Sequence, residues 1–110
     1  MSEALHNFIR VAGRGDVAPG AALVVTIDRY DVALFNVDGE LHAYENVCPH
    51  QGGPIGEGWI EEGVVTCPWH AWRFDLRTGK MTLGDFAQLR RFDVRIDGDD
   101  VFVATEPEAA

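Results

Sequence analysis

The sequence predicts an all-β fold, an antiparallel barrel or sandwich. Three observations carry this. Short segments rich in β-branched residues recur along the chain, as in Ala22–Asp28, and Leu89–Ile96 alternates apolar with polar positions. Turn signals built on Gly and Asp separate them at close spacing, notably Asp38-Gly39 and Asp97-Gly98. No stretch reads as a helix.

Taken in order, residues 1–6 read as frayed, and Asn7–Val11 alternates enough for a first strand. Gly13-Arg14-Gly15-Asp16 and Pro19-Gly20 are turn material. Ala22–Asp28 is a strand, Arg29-Tyr30-Asp31 a short break, and Val32–Val37 the next strand. Asp38-Gly39 then predicts a hairpin into Glu40–Tyr44, because both central residues of such a turn need positive φ. Glu45–Pro54 is a loop, since Gly52, Gly53 and Pro54 oppose regular structure. Trp59-Ile60 pairs briefly, Gly63–Thr66 is a short strand, and Ala71–Phe74 is another. Asp75–Lys80 is a tight turn with Gly79 at positive φ, and Met81–Gln88 is a loop. Leu89–Ile96 is one strand, Asp97-Gly98-Asp99-Asp100 a second turn, and Val101–Thr105 the closing strand. Glu106–Ala110 is expected to be a mobile tail.

At 110 residues the chain suits one domain, 1–110, with about two-thirds of its unfolded surface buried. No apolar run approaches the roughly 20 residues of a membrane-spanning helix. Met1–His6 lacks the basic start and apolar core of a signal peptide, so a cytoplasmic protein is expected. A net charge of −9 argues against nucleic acid, which needs a basic footprint. It suits transient docking on basic partner surfaces and equally serves solubility.

The chemistry concentrates between residues 48 and 70. Cys48-Pro49-His50 is followed, sixteen residues later, by Cys67-Pro68-Trp69-His70, and these are the two cysteines of the chain. Two thiolates and two imidazoles on two short loops suit a two-iron, two-sulfide cluster, both Cys on one iron and both His on the other. Unrelated buried thiols or one disulfide is the plainer alternative. A structural zinc site is the sharper one, although zinc fingers group Cys with Cys and His with His, whereas here each loop mixes them. His6 and His42 lack partners at motif spacing, so His42 reads as a surface or packing residue. Trp59, Trp69 and Trp72 read as packing residues, and Asp97, Asp99 and Asp100 as a solvated turn rather than a calcium loop.

The segments Asn46–Gly53 and Cys67–Asp75 carry a resemblance to Rieske-type ferredoxins, small carriers with a Cys2His2-ligated 2Fe–2S cluster. The resemblance implies a β base with a cluster-binding lobe inserted over roughly 45–86, and Cys48, His50, Cys67 and His70 as metal and cofactor ligands. It implies single-electron transfer from a flavin-containing reductase to a terminal, commonly ring-hydroxylating, oxygenase, with no catalytic residue of its own. Similar short chains serve as the small subunit of NAD(P)H-dependent nitrite reductases, and a non-redox interaction module keeping the fold is a third possibility.

Neutral His ligands leave the oxidised cluster uncharged, which raises its potential to a range of about −150 to +300 mV. High-potential relatives place hydroxyl residues where this chain has Trp72 and Phe74. They also carry a disulfide between positions that Gly53 and Trp69 occupy here. Both departures point to the low end, about −150 mV. Glu45, Glu57, Glu61, Glu62 and Asp75 against Arg73 alone reinforce this, since nearby negative charge disfavours the reduced state. The loop many relatives place over the cluster contains proline, but Leu83–Gln88 does not, and Phe86 is the expected cover.

Overall fold

The computed structural model describes residues 8–48, 52–69, 72–82 and 87–108. Its strands are β1 (Phe8–Gly13), β2 (Ala22–Ile27), β3 (Tyr30–Val37), β4 (Glu40–Glu45), β5 (Trp59–Glu61), β6 (Val64–Thr66), β7 (Arg73–Asp75), β8 (Arg91–Phe92), β9 (Val94–Asp97) and β10 (Asp100–Ala104). They form three antiparallel sheets, ordered β1-β10-β9, β2-β3-β4-β8 and β5-β6-β7. Single 3-10 turns occupy Arg14–Asp16 and Ile55–Glu57, and no described helix is long and apolar enough to cross a membrane.

Strand β3 organises the packing because it is buried on both faces. Val32 and Leu34 join Ala12, Ile27, Ala43, Phe92, Val101 and Val103 in a core between the four-stranded sheet and β1-β10-β9. Ala33, Phe35 and Val37 point the other way, into a core shared with Ile55, Val65, Phe74 and Leu76. A strand alternates its side chains between faces, so a nearly continuous apolar run is what a doubly covered strand requires.

The hairpin turns are set by residues at positive φ. Asp38 and Gly39 have φ of 54° and 95° between the paired Val37 and Glu40, the both-positive geometry expected there. Glu62 and Gly63 repeat it at 53° and 79° between Glu61 and Val64, so Gly63 belongs to a turn and not to a strand. The last hairpin turns over the expected four residues, Asp97 to Asp100. Asp97 pairs with Asp100, and Gly98, at φ 63°, is the first central residue.

Leu89–Ile96 is not one strand. Leu89 buries in the core beside β5-β6-β7, whereas Phe92, three residues on, buries in the sandwich core. Pairing in the four-stranded sheet stops at Phe92 and resumes in β1-β10-β9 at Val94, so the chain changes sheets at Asp93, whose carbonyl accepts from Ala104 N at 3.0 Å. Tyr30 and Asp31 belong to β3 and β2 ends at Ile27, so the break falls at Asp28-Arg29 and not at Arg29-Tyr30-Asp31. The tail expected to be mobile from Glu106 is tied at Glu108, whose N donates to Arg91 O at 2.7 Å. The side chains of these two residues also approach to 3.7 Å.

Candidate metal centre

Each cysteine opens a loop that closes on its own amide. Cys48 N donates to Gly53 O at 2.7 Å, and Cys67 N donates to Trp72 O at 2.7 Å. The same six-residue span therefore shapes both loops, and His50 and His70 fall inside them in sequence. Both histidines, with Pro49, Gln51 and Ala71, lie outside the described residues, as do Leu83–Phe86 and with them the expected Phe86 cover.

The first loop is anchored at both ends. Asn46 N donates to Asp31 O at 2.7 Å, fastening the exit of β4 to β3. The Asn46 Oδ1 accepts from Gly56 N at 2.6 Å, tying the start of the loop to the 3-10 turn after it. Within the loop Gly52 N donates to Cys48 O at 2.8 Å, and Gly52 takes φ 80°, a left-handed conformation glycine adopts without steric cost. The second loop hangs between β6 and β7, which pair directly through Val64↔Asp75, Val65↔Phe74 and Thr66↔Arg73.

Cys48 and Cys67 are both fully buried, lie in one core cluster with Ile55, Val65 and Phe74, and are not joined in a disulfide. The two loops meet: a Cβ built on Gly53 would stand 3.2 Å from Cys67 Sγ. Two unoxidised thiols in an apolar, water-excluded cradle, with an imidazole in each loop by sequence, are the donor set a 2Fe–2S cluster of mixed ligation needs. The residues fit the group. Among the described residues no set of three or more His, Cys, Asp or Glu side chains is placed to hold an ion, so Asp97, Asp99 and Asp100 form no such set.

Of the residues set aside as packing, Trp72 does pack, half-buried against the cysteine-containing core. Trp59 and Trp69 lie outside the core, being 66% and 61% exposed. His42 is a packing residue, 8% exposed. Its Nε2 lies 3.2 Å from Glu40 Oε1 and its Nδ1 3.3 Å from Arg91 Nη2, so Nδ1 accepts and Nε2 carries the proton. Burial holds the His42 pKa below its ordinary value, with the Glu40 hydrogen bond opposing and Arg91 reinforcing. Beside it Tyr44 donates to Leu76 O at 2.7 Å and accepts from Arg91 Nη1 at 2.9 Å. Burial pushes the Tyr44 phenol up to about 12.

Glu45 faces Arg90 at 3.6 Å, a residue brought from the β8 approach, so its charge is partly balanced. Glu57, Glu61 and Glu62 remain exposed.

Comparison with known proteins gives a consistent family. The chain is 37% identical over 98 residues to the ferredoxin component of biphenyl 2,3-dioxygenase from Rhodococcus jostii strain RHA1, covering 88% of this chain and 92% of the relative. Its fold superposes, with a TM-score of 0.87 and 25% identity, on a chain from a complex of reduced oxygenase and oxidised ferredoxin in carbazole 1,9a-dioxygenase. That match covers 94% of this chain and 98% of the other. At 22% identity and a TM-score of 0.76 it also shares the fold of a nitrite reductase NADPH small subunit described as putative, over 87% and 96% of the two chains. The model of the Rieske [2Fe-2S] domain matches residues 7–104, so the chain belongs to the Rieske [2Fe–2S] family and carries that family's one cluster.

Proposed function

We propose that this chain is the ferredoxin component of a ring-hydroxylating dioxygenase system, an electron carrier rather than a catalyst. In this reading it accepts single electrons from a flavin-containing reductase and delivers them to a terminal oxygenase, docking transiently on each in the cytoplasm. The observation that carries this is the likeness to a dioxygenase ferredoxin over 92% of that relative's length. The relative is as short as this chain, so the likeness is to a stand-alone carrier and not to one domain of an oxygenase.

The ligands in this reading are Cys48 and Cys67 on one iron and His50 and His70 on the other, held in a lobe spanning roughly 45–86 of a one-domain chain. When bound, the cluster supplies reversible one-electron chemistry. The chain's own residues supply the rest. Ile55, Val65 and Phe74 exclude water from the thiolates, and the two amide-closed loops hold the thiolates in place. Phe74, fully buried in the cysteine core, brings no hydroxyl donor to cluster or ligand sulfur, which supports a potential near the low end, about −150 mV.

The test is reconstitution. The purified holoprotein is red-brown, gives a rhombic EPR signal after dithionite, and restores oxygenase turnover when added to a flavin reductase and a ring-hydroxylating terminal oxygenase. Voltammetry well above zero would remove the low-potential assignment. The fold shared with the nitrite reductase small subunit supports a second reading, in which the chain restores NAD(P)H-dependent nitrite reduction to a large subunit and leaves the oxygenase idle.

A further inference from the structure

We propose that Trp69 is a positioning residue that latches the two cysteine loops together across Gly53 and shields the Cys67 sulfur. Gly53 is buried, and a methyl group there would stand 2.9 Å from Trp69 Cγ, 3.0 Å from its Cδ2 and 3.2 Å from Cys67 Sγ. The position has no room for a side chain. Indole and thiol lie against the same point of the opposing loop.

The contact joins the two loop closures. Gly53 supplies the carbonyl that accepts from Cys48 N, so it marks the end of the first closed loop. Trp69 lies inside the second, between Cys67 and the Trp72 carbonyl that accepts from Cys67 N. Prying the loops apart therefore means lifting the indole off Gly53. Trp69 as a whole is 61% exposed, so the core does not account for its position. A large apolar group left this open gains little from burial, and its seat on the glycine is the packing it has. With the indole in place, Cys67 is fully buried. Removing it opens the Gly53 side of that sulfur to water and to competing ligands.

The inference rests on Cys67 being a cluster ligand, and its test separates the two. Holoprotein variants are mixed with ferrozine and the loss of visible absorbance is timed. Trp69→Ala is expected to lose iron about fivefold faster than the parent, the factor a modest loss of packing carries, while Trp69→Phe, which keeps a ring at Cγ, stays within about twofold. Gly53→Ala should also accelerate loss in the parent, by displacing the indole, and should do so far less in the Trp69→Ala background. That non-additivity is the signature of direct contact. Trp69→Ala bleaching at the parental rate, or purely additive effects, would overturn the latch. Should Trp69→Ala be recovered without cluster, iron per chain at purification decides. It is expected to fall in the order Phe, Leu, Ala, and equal iron in all three refutes the proposal. Cys67→Ser tests the underlying assignment: an unchanged visible spectrum there sinks the ligand reading, whereas a lost spectrum with silent Trp69 variants sinks the latch alone.

Discussion

At the scale of single residues, buried polar groups have found partners that adjacent sequence does not reveal. Asn36, 6% exposed, donates through Nδ2 to Val17 O at 2.7 Å and accepts through Oδ1 from Gly39 N at 2.7 Å. It thereby holds the β3–β4 turn against the segment before β2, and each such bond contributes on the order of 1 kcal/mol. His42 is the more testable case. Its Nδ1 accepts from Arg91 Nη2, with Glu40 on its own strand, Arg77 from the turn after β7 and Arg91 from β8 around it. Burial keeps the ring neutral in the folded state, so its pKa lies below the 6.5 of the unfolded chain. Below pH 6.5 the unfolded state binds a proton that the folded state refuses, and stability falls with pH toward the depressed folded pKa. The melting temperature should therefore drop between pH 7.5 and 5.5 more steeply for the parent than for His42→Gln. Equal slopes would show that His42 does not titrate differently in the two states. Using the difference between the two proteins cancels any contribution from His50 and His70.

At the scale of elements, the small β5-β6-β7 sheet depends on close backbone approach. A Cβ on Gly58 would overlap Thr66 O, in the residue pair that begins the β5–β6 ladder, where Trp59 faces Thr66. Backbone cannot yield as a side chain tip does, so Gly58→Ala must break the start of that ladder. The expected cost is about 2–4 kcal/mol, comparable with other severe single changes, read as a lowered midpoint in chemical denaturation. Because Thr66 leads directly into Cys67, the same variant should retain less iron. A parental midpoint would show that the strands separate there without penalty. Leu89–Ile96 divides into two strands because alternation marks extended backbone and not the sheet into which it pairs.

At the scale of the whole molecule, β3 is shared by two cores, and the cysteines lie in the one beside β5-β6-β7. The site is thus mounted on a strand whose other face closes the sandwich. The net charge of −9 acts at the same scale. Exposed Glu57, Glu61 and Glu62 lie on the β5–β6 side of the ligand loops. If the proposed docking on a flavin reductase is steered by this charge, reduction by such a reductase should slow as salt shortens the Debye length from about 30 Å at 0.01 M to about 8 Å at 0.15 M. Stopped-flow rates that do not change with ionic strength would remove electrostatic steering from the account.

The sequence by itself determined the all-β class, the hairpin at Asp38-Gly39 and the pairing of one cysteine with one histidine in each of two short segments, from which the ligand set is proposed. These follow from local chemistry: which side chains suit iron, which backbone angles glycine and aspartate accept, and which residues suit a pleated strand. Tertiary structure alone decided what depends on segments far apart in the chain. It set Gly53 against Trp69 and Cys67, balanced Glu45 with Arg90, and wrapped His42 and Tyr44 around Arg91. It also split one alternating run between two sheets. No periodicity encodes such meetings, because they arise only when the sheets pack and the loops are carried together.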